Sequence, residues 1–320
     1  MILMSKALLD RPPSNCFGRR RSLHEILAFI SVLLLTGLGW PAQAPSAIRN
    51  SAGFRLLVVE ENSDPALRLV LPGRAESDRS IEVLFPEHIT ARRRGRDSVE
   101  QLYLFRPGPS GERPAWRRVG QSLEYERELP GTVHFRARAT LEADGVRFRY
   151  EYHNRSQVTF DMIYAATDPR LTGIFHDQRL ERTYVHHSYG FDLLASETPS
   201  RLTMPLNSWL PARYLASFTW PVPAARSERT TDGIAHYYKS RAVDQPLIAT
   251  ISTDGSWIVA SFTRETGNVW SNPQLTCQHV DPQSSLVPGQ LAVLEVKILV
   301  VQGSLQDVLT SVVQERRASR

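Results

Sequence analysis

The chain has 320 residues, enough for one large β domain or two smaller ones, and 42% of them are hydrophobic, an ordinary supply for a packed core. Its formal charge of +5 is concentrated at the N-terminus, where Lys6, Arg11, Arg19, Arg20 and Arg21 outnumber Asp10 and Glu25. The remainder is close to neutral, which argues against nucleic acid as a partner.

The first residues carry the marks of export. Arg19, Arg20 and Arg21 form a positive cluster, residues 26–39 are apolar apart from Ser31 and Thr36, and Ala42-Gln43-Ala44 fits a small-residue cleavage site. Residues 1–44 therefore read as a signal peptide, cleaved after Ala44 or kept as an anchor, and residues 45–320 as a single exported domain, periplasmic or extracellular. The consecutive arginines before Ser22-Leu23 resemble a twin-arginine signal. The apolar run is shorter than the roughly 20 residues a spanning helix needs. No later segment reaches that length, so no membrane contact is expected beyond the signal. Cys16 falls in the leader and leaves Cys277 alone, which excludes an internal disulfide in the processed chain and suits a small buried hydrophobe.

Past the leader the pattern is that of strands. Residues 54–60, 66–71 and 81–85 read as strands separated by turns at 62–65 and 72–73. Arg92, Arg93, Arg94 and Arg96 read as a solvated loop, and the Pro- and Gly-rich residues 107–111 as another. Residues 132–153 predict a hairpin. Val133, Phe135, Ala137 and Ala139 alternate with polar residues, Asp144-Gly145 turns the chain, and Val146, Phe148, Tyr150 and Tyr152 alternate again. Arg and Glu on its other face can pair. A strand is expected at 160–166, then a long polar loop from Asp168 to His187. Residues 199–223 read as proline- and aromatic-rich loops with a short strand near 214–218. Strands follow at 234–238 and 246–252.

The last quarter is the most legible. Asp254-Gly255 predicts a turn into a strand at 257–262. A polar loop holds Trp270, Asn272, Cys277, His279 and Asp281, and Pro288-Gly289 turns the chain again. Residues 290–302 alternate, with Ala292, Leu294, Val296, Ile298 and Val300 on one face and Glu295 and Lys297 on the other. Ser304 and Asp307 form a capping box ahead of a helix from Leu305, with Leu305, Val308, Leu309, Val312 and Val313 at helical spacing. The fold class is all-β, a large antiparallel sandwich or barrel with a short C-terminal helix.

Several pieces carry a family likeness. DGSWIVASFTRETGNVWSNPQLTCQHVDPQSSLVPGQ, the strand after it and GSLQDVL resemble exported, largely uncharacterised bacterial proteins of the galactose-mutarotase-like, or supersandwich, fold. FHDQRLERTYVHHSYGFDLL resembles the central loop of that group, and EYHNRS its strand followed by an Asn and Ser turn. The resemblance implies a β supersandwich. Mutarotase-type epimerases use two histidines and a glutamate as acid and base, a set with no clear counterpart in this chain. His186 and His187 are adjacent and would point to opposite faces of a strand, and Glu295 has no evident partner.

Two groups of candidate residues follow. Trp270, Asn272, His279 and Asp281 can bind sugar hydroxyls and stack on a ring; the bland alternative is a polar network bracing its own loop, with Asp281-Pro282 setting a turn. His176, Asp177, Arg182, His186 and His187 form the second group, where a histidine beside a carboxylate suits acid–base work. Trp209, Tyr214 and Trp220 are further stacking candidates. No metal or other cofactor is expected, because His279 and Asp281 are one close pair without a remote ligand set of recognisable spacing. There is no nucleophile elbow, zinc-protease helix or phosphate loop. The expected function is an exported carbohydrate-binding or envelope protein. The alternative is an enzyme acting on a sugar or polysaccharide, epimerase- or lyase-like, with His and Asp as acid and base.

Overall fold

Apolar–polar alternation builds most of the strands. The computed structural model describes residues 47–60, 64–105, 112–129, 133–197, 211–218, 226–264 and 268–318. The expected leader, the loop at 107–111, Trp209 and Trp220 lie outside the described residues. Residues Ala44–Arg320 form one compact unit.

The chain begins with β1 (Ala47–Arg49), β2 (Arg55–Val59), β3 (Ala66–Val70), β4 (Ile81–Leu84), β5 (Ile89–Arg93) and β6 (Glu100–Leu102). It continues with β7 (Arg117–Val119), β8 (Ser122–Leu129), β9 (Val133–Glu142), β10 (Gly145–Asn154), β11 (Phe160–Ala165) and β12 (Asp168–Leu171). Next come β13 (Thr183–His187), β14 (Gly190–Leu193), β15 (Ala212–Ser217), β16 (Arg226–Arg229) and β17 (Ala235–Tyr238). The last strands are β18 (Leu247–Ile251), β19 (Ile258–Phe262), β20 (Asn268–Ser271), β21 (His279–Val280), β22 (Ser284–Leu286) and β23 (Leu291–Val301), followed by helix α1 (Leu305–Arg317).

They form four sheets. The largest has nine strands in the order β14-β13-β18-β19-β23-β10-β9-β8-β7, and five-stranded sheets run β1-β2-β3-β4-β12 and β16-β17-β15-β20-β21. A four-stranded sheet runs β22-β11-β5-β6. Pairing is antiparallel except for β15 with β17, which is parallel. The large antiparallel β assembly with one C-terminal helix is the fold class that the sequence predicts.

The expected hairpin is present as β9 and β10, with Glu142 opposite Gly145. Gly145 takes φ +150°, and a Cβ there would lie 1.9 Å from the Ile298 carbonyl oxygen, so the close approach of β23 requires glycine. One face of this hairpin lays Phe135, Phe148, Tyr150 and Tyr152 into the main core with Phe85 and Tyr125. On β23, Ala292, Leu294, Val296, Ile298 and Val300 point into the same core.

The opposite face of the nine-stranded sheet is covered in two ways. Over β18 and β19, α1 buries Val308 and Val312 against Leu247, Ile258, Phe262 and Leu299. The capping box forms as predicted: the Asp307 N–H donates to the Ser304 hydroxyl, and the Ser304 N–H donates to the Asp307 carboxylate at 2.7 Å. Over β8, β9, β10 and β23 lies a lattice of arginine and glutamate. Arg138 and Arg149 stand opposite each other, so their carboxylates come from flanking strands, Glu124 on β8 and Glu295 on β23.

Three expected loops turn out to contain strands. Residues 168–187 include β12 and β13, and the segment holding Trp270 and His279 is the hairpin of β20 and β21. Their polar residues are satisfied by partners distant in sequence. The basic cluster is also part of a strand, since β5 runs to Arg93; Arg93 pairs with Glu100 and Arg94 with Asp161.

Lys297 ties these layers together. It is 3% exposed, and its ammonium contacts Asp144 at 2.8 Å, Glu142 at 2.9 Å and Glu315 of α1. Burial alone would raise Glu142 and Glu315, but Arg147 and Lys297 hold both below the ordinary carboxylate value. Groups lowered in the folded state contribute stability that is complete above their unfolded value and is lost as pH falls through the folded value. Acid titration should therefore show stability falling below the ordinary Glu range. Lys297→Met, which leaves the carboxylates facing one another, should cost about 3 kcal/mol in chemical denaturation at neutral pH and flatten that acid limb.

Candidate functional site

The first predicted group gathers at a junction of sheets. Thr276 adopts φ +49°, and the chain after it runs antiparallel to β12. The Leu171 N–H donates to the Thr276 carbonyl at 3.3 Å, and the Gln278 N–H donates to the Pro169 carbonyl at 3.1 Å. Arg170 and Cys277 face each other across this bridge. Residues two apart share a face, so Asp168 and Arg170 meet Cys277 and His279 on one side. Gln278 points to the other side, where it bonds Ser261 of β19 and Thr250 of β18.

His279 lies at the centre and is 1% exposed. Trp270 is its cross-strand partner; the rings stack with centroids 3.7 Å apart and planes within 3°. The Trp270 indole N–H donates to Asp281 Oδ2 at 2.7 Å. His279 Nε2 is 3.2 Å from Asp168 Oδ1, and its Nδ1 is 4.0 Å from Asp281 Oδ1. The Arg170 Nε–H donates to Asp168 Oδ2 at 2.6 Å, and the same guanidinium reaches Glu87 at 3.2 Å. His88 follows, its Nδ1 3.7 Å from Glu87. The guanidinium of Arg213 on β15 lies 5.7 Å from the Trp270 ring centre.

The site is graded from buried to open. His279, Asp168, Cys277 and Asn272 are buried, while Trp270, Arg213, Glu87, His88 and Arg170 are partly exposed and Tyr103 beside His88 is open. The charges follow the same gradient. Burial works against the Asp168 carboxylate, yet His279 and Arg170 outweigh it and hold it low. Burial likewise opposes the His279 imidazolium, and neighbouring Cys277 and Asp168 raise it well above an ordinary histidine. Burial and the Asp168 charge push Glu87 up, whereas burial and His279 push His88 down. A carboxyl inclined to hold a proton thus sits next to a histidine inclined to release one.

Among the residues predicted from sequence, His279 does not reach a surface ligand. It lies under Trp270, which presents the aromatic face. Asn272 is also internal: its side-chain oxygen accepts from the Gln274 N–H and its own N–H donates to Cys277 Sγ at 3.4 Å. Asp281 orients Trp270. Tyr214 is buried and stacks on Tyr237. Sequence reasoning missed Glu87, His88, Asp168, Arg170 and Arg213. Only the adjacent acid and histidine at 87–88 offered any local signal.

The second group serves its own segment. Asp177 accepts from the backbone N–H groups of Glu181 and Arg182 and from the Thr183 hydroxyl. Arg182 donates to the carbonyls of His176 and Ile251. His186 and His187 do point to opposite faces, His186 to Asp244 at 2.5 Å and buried His187 to the Ala242 carbonyl at 2.8 Å. His176 is exposed.

No family model matches the chain, and no curated protein matches it. Among solved structures it is similar to the Slr1438 protein of Synechocystis, with a TM-score of 0.46, 12% identity and coverage of 80% of this chain and 95% of that one. It is similar to a GalM/aldose epimerase homologue from C. elegans at TM-score 0.44 and 11% identity, covering 81% and 98%. It is similar to a galactose mutarotase-like protein from Lactobacillus casei at TM-score 0.43 and 9% identity, covering 80% and 99%. The likeness is one of fold alone.

The bonding of Asp177 gives a direct expectation. Asp177→Ala strips an acceptor from two backbone donors and a buried hydroxyl, and should cost roughly 1–3 kcal/mol in denaturant unfolding. A loss below a few tenths of a kcal/mol would refute the bracing role.

Proposed function

We propose that this chain is an exported protein that binds carbohydrate on the face built from Trp270, Arg213, Arg170, Glu87 and His88. The observation that carries the reading is the partly exposed Trp270, held rigid by its stack on His279 and its bond to Asp281, with the Arg213 guanidinium 5.7 Å from its ring centre to meet hydroxyls. An aromatic face offers apolar area to the C–H side of a sugar ring while the surrounding donors and acceptors fix its orientation. The N-terminal charge, apolar run and small-residue site support export, and the sequence resemblance to galactose-mutarotase-like proteins supports a sugar ligand.

One observation favours a catalytic version of the same reading. Glu87, pushed up, and His88, pushed down, stand side by side in the open part of the site, which suits proton transfer at a sugar's anomeric or ring-adjacent carbon. In that version Glu87 gives a proton to a sugar oxygen while His88 takes one from a sugar hydroxyl, Arg170 steadies Glu87, and Trp270 holds the ring.

A glycan array probed with the secreted chain, followed by calorimetry on any hit, decides between these versions. Trp270→Ala should weaken binding about tenfold, close to the contribution of one aromatic contact, and should also lower the unfolding midpoint, because it leaves the Asp281 carboxylate without its indole donor. If the protein is an enzyme, Glu87→Gln should abolish turnover of the bound sugar while leaving its affinity within a few-fold, the mark of a group used in the transition state. Absence of any binding across a broad panel would overturn the carbohydrate reading. For export, N-terminal sequencing from the fractionated native host should start near Pro45; a cytoplasmic chain beginning at Met1 would refute it.

A further inference from the structure

Beneath the Trp270 face, Asp168, Cys277 and His279 bring a carboxylate oxygen, a thiol sulfur and an imidazole nitrogen within 4.8 Å of one another, all three residues buried. Several polar atoms in and around this cluster are left without hydrogen bonds. Asp168 Oδ1, on a side chain 1% exposed, has no hydrogen-bond partner although it lies 3.2 Å from His279 Nε2. His279 Nδ1 and Asp281 Oδ1 are also without partners, 4.0 Å apart. Buried polar atoms are nearly always satisfied, so the orphaned Asp168 Oδ1 beside His279 Nε2 calls for an occupant, while the orphans His279 Nδ1 and Asp281 Oδ1 face each other at the other edge of the ring.

We propose that Asp168 Oδ1, Cys277 Sγ and His279 Nε2 bind a zinc ion. Sulfur, nitrogen and oxygen donors together suit zinc, while calcium and magnesium take oxygen alone. Zinc bonds of about 2.0–2.3 Å place tetrahedral ligand atoms roughly 3–4 Å apart, and the observed spacing needs only small side-chain shifts to reach this. The outer contacts also fit. A metal-bound histidine normally directs its other N–H at a carboxylate, and Asp281 Oδ1 stands opposite His279 Nδ1 for that purpose. Arg170 holds the second oxygen of Asp168 at 2.6 Å, and the Asn272 N–H points at Cys277 Sγ at 3.4 Å. Three protein ligands leave a fourth position for water. Sequence spacing hides this set, because Asp168 lies more than 100 residues from the Cys277 and His279 pair. The proposal does not depend on sugar binding.

The full chain, purified without a histidine tag, is supplied with zinc, dialysed, and assayed by elemental analysis. One zinc per chain is expected. X-ray absorption at the zinc edge should give one sulfur among nitrogen and oxygen ligands, a result that needs no variant. Cobalt substitution should show a thiolate-to-metal charge-transfer band that Cys277→Ser removes. Asp281→Asn, which removes no zinc ligand and keeps an oxygen that can accept from the Trp270 indole, should weaken zinc about tenfold in chelator competition. A folded wild-type chain that retains no zinc would overturn the proposal and leave a proton-linked His279–Asp168 pair. So would a zinc shell without sulfur, or zinc retained unchanged by folded Cys277→Ser and Asp168→Asn chains.

Discussion

The antiparallel bridge between residues 168–171 and 276–278 is the constraint on which the site depends. It is short, yet it joins three sheets. β12 closes the sheet of β1 to β4, the hairpin of β20 and β21 belongs to another five-stranded sheet, and Gln278 bonds into the nine-stranded one. Because side chains alternate across such a bridge, it sorts polar residues by position. Odd-numbered Cys277 and His279 meet even-numbered Asp168 and Arg170, while Gln278 and Thr276 serve the frame. The Thr276 hydroxyl donates to the Leu171 carbonyl, and its positive φ turns the chain into register. A β-branched residue in that region carries a strain of about 1–3 kcal/mol that surrounding contacts must offset.

The nine-stranded sheet shows how one physical rule gives two outcomes. Alternation put Ala292 to Val300 in the core as the sequence predicts, but the polar face is not simply solvated. Leu299 on that face meets α1, Lys297 is buried among carboxylates, and Glu295 accepts from Arg149. A cation taken out of water must be matched by anions; here they come from a turn, a strand and the closing helix. The helix is therefore held by charge as well as by Val308 and Val312.

The sequence was legible where a pattern is local. The β9–β10 hairpin, β23 and the capping box at Ser304 each need only a few neighbouring residues to be recognised. The site was half legible. Trp270, His279 and Asp281 were singled out by their density in one segment; the structure places His279 under Trp270 and has Asp281 accept from that ring, as the alternative of a bracing polar network expects. Asp168 and Arg170 read as loop residues because a polar strand such as Asp168-Pro169-Arg170-Leu171 lacks apolar alternation. Its strand state comes from pairing with β4, which no local signal encodes. Glu87 and His88 likewise matter only because the β12 region brings Arg170 to them.

Burial decides how the two layers of the site divide their work. Trp270, Arg213 and Glu87 keep part of their surface in water, so the sugar proposed above would meet them, but it would not meet His279 without displacing the indole stacked on it. The inner layer therefore acts on a ligand through position and field. Asp281 fixes the indole by its N–H, His279 fixes it by stacking, and Asp168 transmits the inner charge to Glu87 through Arg170. Arg170 bonds both carboxylates, so any gain of positive charge beside Asp168, whether a proton or a cation, draws less on Arg170 and stabilises Glu87 in its charged form. The inner cluster thus adds to the effect of burial on the proton affinity of the outer acid, through the arginine that both carboxylates share.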